Sequence, residues 1–342
     1  MGHRDTGSTF ESLSEAERIR HLGEVAARAV PYWGVSPAAR LTLLNISENA
    51  TYRVDDPGAA EPLILRVHRT GYHTRDAVRS ELAWMKALKE EAGVETPQAI
   101  PCREGEIIRT VATPALGEER FVVMFAFIEG QEPDADDLTV PFQRLGAIAA
   151  RMHRHARGWQ RPPYFERLVW DFERSVGRNG NWGDWRAALA LDAARIAVLE
   201  EMADLIEQRL NRFGQGPDRF GLIHADLRLA NLLVTDDDTR VIDFDDAGLG
   251  WFLYDLATAV SFIEERPDLD RLLQAWVQGY RIEAPLSAEE EGEIPTFLML
   301  RRLASVAWIG SHPETDLARE LGEPFIEGSV RLARKYIERF KT

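Results

Sequence analysis

The sequence predicts an α+β chain in which a small antiparallel-sheet region precedes a larger, mostly helical region. Short alternating or β-branched runs crowd the stretch from Leu41 to Phe127, whereas helical periodicity dominates after Ile128. Size agrees, since 342 residues leave room for one large or two modest domains with a substantial core. The expected division is residues 1–127 and residues 128–342.

Each element has a local reason. Ser14 with Glu17 reads as a capping box, and Ile19, Leu22, Val25, Ala26 and Ala29 recur at helical spacing until Pro31. The runs LTLLNI (41–46), ATYRV (50–54) and LILRVH (63–68) read as strands, the first two joined as a hairpin through 45–49. A helix is expected over Arg75 to Glu91, with Val78, Leu82 and Met85 on one stripe and Gly93 ending it. Two more strands follow, Glu106–Val111 and Arg120–Phe127, and the polar stretch IEGQEPDADD (128–137) suits a hinge. Beyond it the spacing predicts helices over 141–156, 184–213, 253–264, 269–281, 288–310 and 328–340. A non-helical insert, Gly221 to Gly250, interrupts them.

Composition excludes several classes. With 41 Lys and Arg against 56 Asp and Glu the net charge is −15, which disfavours nucleic acid as a partner. The single cysteine, Cys102, excludes an intrachain disulfide framework or a multi-thiolate site. No apolar run reaches the roughly 18 residues of a membrane span, and the opening MGHRDTGSTF lacks the apolar core of a secretory signal. A cytoplasmic protein with no membrane partner is expected. HExxH and GxSxG patterns are absent. His153 and His155 read as helix packing or exposed positions, and most of the nine tryptophans as core.

The chemistry concentrates in GLIHADLRLANLLVTDDDTRVIDFDDAGLGWFLYDLA, residues 221–257. It contains His224-x-Asp226-x4-Asn231 and, twelve residues after Asn231, Asp243-Phe244. Two carboxylates and one amide around a tight turn supply hard oxygen ligands and one basic oxygen. Those groups can hold a magnesium–nucleotide complex and orient an attacking hydroxyl. Magnesium keeps several waters, so Asn231 and Asp243 suffice as ligands, and Asp226 is left to take the acceptor's proton.

With its apolar flanks, Gly250 and Tyr254-Asp255-Leu256, this stretch resembles the aminoglycoside phosphotransferase/choline kinase family, relatives of the protein kinases. The resemblance implies a two-lobed protein-kinase-like fold, with an antiparallel-sheet N-lobe that binds nucleotide and a helical C-lobe that binds acceptor. It implies ATP and Mg2+ as cofactors and a small-molecule hydroxyl as acceptor. By the same resemblance Asp226 is the catalytic base, and Asn231 and Asp243 bind the metal. His224 braces the loop, and Asp255 is a structural anchor.

One departure stands out. The family places a lysine on the third strand, but the four lysines here are Lys86, Lys89, Lys335 and Lys341. The matching position is Arg66, and by resemblance its partner is Glu81, which borders the apolar face of its helix. Arg228 stands where small-molecule relatives carry histidine and serine/threonine kinases carry lysine. A cation there can neutralise the transferred phosphoryl group, although a solvated loop arginine fits equally. Ser47 and Asn49 could cover the phosphates through backbone amides, and a plain hairpin turn is equally compatible. Adenine would meet the chain near Phe125, Phe127 and Ile128, again by resemblance.

Asp245, Asp246, Glu264, Glu265 and Trp251 would suit an amine-bearing acceptor. Homoserine, choline-like alcohols, amino sugars and hydroxylated amino acids all remain open. So do a protein serine/threonine kinase of the same fold and a non-catalytic nucleotide-binding protein.

Overall fold

A computed structural model describes residues 10–46, 49–113, 116–134, 138–235, 238–313 and 315–341. Ser47, and Asp236 and Asp237 of the acidic turn, lie outside the described residues. The chain divides into two compact units. The first comprises residues 1–86, 97–129 and 163–166, and the second residues 87–96, 130–162 and 167–342.

The first unit opens with α1 (Glu15–Ala29), whose capping box of Ser14 and Glu17 is formed as expected. Strands β1 (Arg40–Ile46), β2 (Ala50–Asp55) and β3 (Leu63–Val67) follow, and then α2 (Arg75–Ala92), whose residues from 87 on belong to the second unit. Next come β4 (Ala99–Ile100), β5 (Ile108–Thr113) and β6 (Glu118–Ala126). The sheet is antiparallel throughout, in the order β1-β2-β3-β6-β4, with β5 also paired to β6. Alternation along β2 puts Ala50, Tyr52 and Val54 on the buried side. There they join Leu65, Val67, Val122 and Met124, and the α1 stripe of Leu22, Val25, Ala26 and Ala29 closes over them. Ile19 stays 40% exposed at the edge of that stripe. The two-residue β4 was too short to carry a periodic signal.

The second unit is mostly helical: α3 (Thr139–Gly158), α4 (Phe172–Val176), α5 (Ala193–Phe213), α6 (Phe252–Ala259), α7 (Leu269–Glu283), α8 (Ala288–Ser311) and α9 (Asp316–Phe340). Short strands accompany them: β7 (Leu168–Trp170), β8 (Phe220–Ile223), β9 (Leu232–Val234), β10 (Thr239–Val241) and β11 (Gly248–Trp251). β9 and β10 form an antiparallel ladder, whereas β11 sits between β8, antiparallel, and β7, parallel. Helices α3 and α7 meet backbone to backbone. A Cβ at Gly146 would strike the Trp276 carbonyl, and one at Gly279 would strike the Gln143 main chain.

Three helix expectations need correction. The stretch 184–213 is not one helix. Asp184 caps a short 3-10 turn, Ala190 takes a left-handed φ of 66°, and Asp192 caps α5 afresh. No Gly or Pro marks that break. Helix α6 stops at Ala259 rather than Glu264, with Phe262 left-handed at φ 70°. Helix α9 begins at Asp316, twelve residues before Gly328 (from 316 to 328), because Thr315 caps it. The helical path is interrupted at Gly322 (φ 47°, ψ −148°) and resumes beyond it through Pro324, so the span holds two helical segments across a kink. Among the described residues, no helix is long and apolar enough to cross a membrane.

Candidate active site

The site in the second unit is built on the turn between β8 and β9. The chain leaves β8 at Ile223 and must reverse at Ala225, a non-glycine residue at φ 66°. That conformation costs about 1 kcal/mol or more for a residue with a Cβ. Buried Asp255 on α6 holds it: Oδ1 accepts the Ala225 N–H at 2.7 Å and Oδ2 accepts the His224 N–H at 3.1 Å. Thr258, one turn along the same helix, accepts the Leu227 N–H through Oγ1 at 2.9 Å. Asp255 and Thr258 thus tie the turn to α6.

His224 ties the turn to the strand beyond it. Its Nδ1 accepts the Asp226 N–H at 3.2 Å and its Nε2 donates to the Ile242 carbonyl at 3.2 Å, which selects the Nε2–H tautomer. The Ile242 N–H in turn donates to the Asn231 carbonyl at 3.0 Å, bringing Asp243 beside Asn231. Asp243 is itself left-handed, at φ 62°. Two non-glycine residues in the left-handed region, Ala225 and Asp243, thus lie within the stretch that the spacing selects.

Asp226 lies at the centre, its side chain 15% exposed. Its Oδ2 accepts Asn231 Nδ2 at 2.7 Å and Arg228 Nε at 3.1 Å, and Oδ1 accepts Arg301 Nη2 at 2.8 Å. Burial pushes this carboxyl up, but the Arg228 and Arg301 guanidinium groups outweigh it and hold the group below the usual carboxylate range. Arg228, for its part, is raised by Asp226, with Asp243 adding to the effect. It is an ion-pair partner rather than an unattached loop cation.

Arg301, on α8, was not singled out from the sequence. The signal was there: Arg301-Arg302 interrupts the apolar run FLMLRRLASVAWIG. Such a run buries whatever it carries, and a buried arginine needs a partner. His153 was read as packing, and it is buried in α3. It also donates from Nε2 to Asp255 Oδ2 at 2.9 Å, while Nδ1 accepts from the Tyr280 hydroxyl at 3.2 Å.

In the first unit, Arg66 on β3 and Glu81 on α2 meet as expected, Nη1 to Oε1 at 2.7 Å, both buried. The Arg66 guanidinium lies 5.1 Å from the centroid of the Phe125 ring, whose residue sits inside the β6 ladder. Phe127 is just past the end of β6, its ring 5.1 Å from the Arg53 guanidinium. Asn49, just before β2, accepts the Arg69 N–H through Oδ1 at 3.0 Å, which ties the end of the hairpin to the segment that follows β3.

The residues suggested for an amine-bearing acceptor are largely engaged elsewhere. Glu264 is buried in an ion pair with Arg302 at 2.6 Å, and Glu265 pairs with Arg331 at 2.8 Å. Trp251 packs edge-on against Phe220, with its indole N–H donating to the Gly214 carbonyl at 2.8 Å. Asp245 and Asp246 remain on the loop after Asp243; Asp246 acts electrostatically on Arg301 and Tyr254.

Known proteins place the chain. The Phosphotransferase enzyme family (APH) matches residues 41–291. The amicoumacin kinase of Bacillus subtilis is 24% identical over 300 residues, covering 84% of this chain and 85% of that one. The structure of a microcompartment-associated aminopropanol kinase matches with a TM-score of 0.86 and 43% identity, over 93% of this chain and 98% of that one. An amicoumacin kinase in complex with AMP-PNP, Ca2+ and Ami matches in fold, with a TM-score of 0.75 at 21% identity, over 95% of this chain and 96% of that one. The resemblance carried by residues 221–257 is thus borne out, and the α+β chain has the kinase-like fold it implied. The chain belongs to the phosphotransferase enzyme family.

Proposed function

We propose that this phosphotransferase moves the γ-phosphoryl group of ATP, as its magnesium complex, to a hydroxyl of a small amine-bearing alcohol. The observation that carries the reading is Asp226, an ionised and partly open carboxylate held by three donors from two different elements. A base oriented in this way can accept the acceptor's hydroxyl proton as the new O–P bond forms. The bond from the γ-phosphorus to the bridging oxygen breaks, and ADP leaves with that electron pair. Arg228, beside Asp226, supplies positive charge on the same loop. The 43% identity to an aminopropanol kinase supports an amino alcohol as the acceptor class.

The residues present fit a magnesium ion. Asn231 turns Nδ2 to Asp226, which leaves its Oδ1 as a ligand, and Asp243 adds a carboxylate. Among the described residues, no cluster of three or more His, Cys, Asp or Glu could hold a metal. Two oxygen donors are what magnesium needs when phosphates and water complete its shell. When bound, the ion would offset the charge of the polyphosphate. In the first unit, Arg66 is our candidate for contact with the α- and β-phosphates, with Glu81 fixing its direction.

The test is ADP release from Mg-ATP across amino alcohols, amino acids and sugars, with Asp226→Asn as the blank. Amino alcohols should give the highest kcat/KM, and the blank should lose about 100-fold or more. Binding of Mg-ATP without transfer to any hydroxyl compound would overturn the reading.

A further inference from the structure

Helix α8 carries two adjacent buried arginines, and adjacent helical positions point about 100° apart. Arg302 turns to a purely structural set. It pairs with Glu264 at 2.6 Å, donates to Ser329 Oγ at 2.7 Å and to the Phe325 carbonyl at 3.0 Å, and lies 3.5 Å from the Phe325 ring centroid. Arg301 is just as buried, at 3% exposure, but ends on the proposed base. Its Nε donates to Ser261 Oγ at 2.9 Å, Nη1 reaches the Ala225 carbonyl at 3.4 Å, and Nη2 donates to Asp226 Oδ1 at 2.8 Å. The Trp182 ring, 4.8 Å from the guanidinium carbon, packs beside it.

Among the described residues, the donors divide unequally between the two carboxylate oxygens of Asp226. Oδ2 receives two, from Asn231 and Arg228, and its two lone pairs are used. Oδ1 receives one, from Arg301, and keeps a lone pair. We propose that Arg301 is a positioning residue that fixes the rotation of the Asp226 carboxylate and so makes Oδ1 the atom that meets the acceptor hydroxyl. Ser261 and the Ala225 carbonyl hold the guanidinium, and the guanidinium holds the oxygen. The inference rests on Asp226 being the base and adds which oxygen works and what aims it.

The experiment compares kcat and KM for Mg-ATP and for 1-amino-2-propanol, with water as the acceptor in a parallel ATP-hydrolysis assay, in Asp226→Asn, Arg301→Gln, Arg301→Lys and Ser261→Ala. Transfer by Asp226→Asn at the parent rate, to either acceptor, would sink the base itself. With that variant inactive, Arg301→Gln should lower kcat about 100-fold while KM for ATP stays within about twofold, the signature of a displaced catalytic atom. Arg301→Lys, which can still donate one bond to Oδ1, should recover about tenfold of that loss. If Arg301→Gln does not fold, Ser261→Ala decides: it frees one anchor and should cut kcat about threefold at unchanged KM for ATP. A folded Arg301→Gln with kcat within twofold of the parent, or a Ser261→Ala with parental kcat where Arg301→Gln is unfolded, overturns the assignment of Arg301 and leaves Asp226 untouched.

Discussion

Arg66 and Glu81 form a buried ion pair at 2.7 Å, with the Phe125 ring beside the guanidinium. Glu81 keeps its second carboxylate oxygen, Oε2, buried without a hydrogen-bond partner among the described residues. Removing one member of such a pair strands the other charge. Arg66→Ala should therefore destabilise the protein by about 3–5 kcal/mol in urea unfolding. It should also weaken Mg-ATP binding about tenfold, read as a smaller thermal stabilisation at fixed nucleotide. Arg66→Lys keeps the charge but loses the planar fork, and its stability loss should be smaller. Unchanged nucleotide stabilisation in Arg66→Ala would remove Arg66 from the phosphate-binding group.

Asp255 is the anchor under the turn that carries Asp226. Its carboxylate accepts the His224 and Ala225 N–H groups as well as His153, all buried. Asp255→Ala orphans these donors and releases the left-handed residue at 225. A loss of about 3 kcal/mol in stability is expected. Turnover should fall about tenfold or more even at temperatures where the variant is fully folded. Full turnover in folded Asp255→Ala would show that the turn keeps its shape without this carboxylate.

His153 gives the stability a specific pH dependence. Burial drives its pKa below the ordinary 6.5, and the opposing pull of Asp255 does not compensate. The unfolded chain therefore takes up a proton near pH 6.5 that the folded chain refuses. Its contribution is fully present above that pH and is lost as the pH falls below it. Urea unfolding at pH 7.5 and 5.5 should show a larger loss for the parent than for His153→Gln. Equal losses would mean that His153 accepts its proton in the folded state.

Two glycines in helices should respond in opposite directions to alanine. Gly279 lies where α7 meets α3, and a Cβ there has no room beside the Gln143 main chain. Gly279→Ala should cost about 2 kcal/mol or more, the strain exceeding any gain in helix propensity. Gly23, in the middle of α1, would place its Cβ 3.9 Å from the Tyr52 hydroxyl, an ordinary contact. Gly23→Ala should stabilise by about 0.5–1 kcal/mol. Thermal unfolding of the two variants side by side checks both signs.

Much of this was legible in the chain because its signals are short-range. The capping box at Ser14, the β1–β2 hairpin and the alternation along β2 depend on residues within a few positions of one another. The same holds for His224, Asp226, Asn231 and Asp243, which fall within twenty residues of sequence, so their spacing alone marked the cluster. Where the local signal misled, the cause was also local. Nothing in 185–192 announces the left-handed Ala190, and the expectation of a helix over 328–340 missed the helical segment that Thr315 caps ahead of the kink at Gly322.

What the amino-acid order could not specify is the destination of the long charged side chains. Arg301 and Arg302 are neighbours of one type in one apolar run, yet one reaches Asp226, 75 positions away, and the other Glu264, 38 positions away. Glu264 and Trp251 looked equally available for an acceptor until packing committed them to Arg302 and Gly214. The short strand β7 likewise exists because β11 lies parallel to it across a long stretch of chain. The spacing of backbone-directed groups follows from periodicity, which is legible wherever an element is long enough to repeat it. A buried charge takes whichever partner the assembled helices bring within 3 Å or so, because leaving it alone costs several kcal/mol.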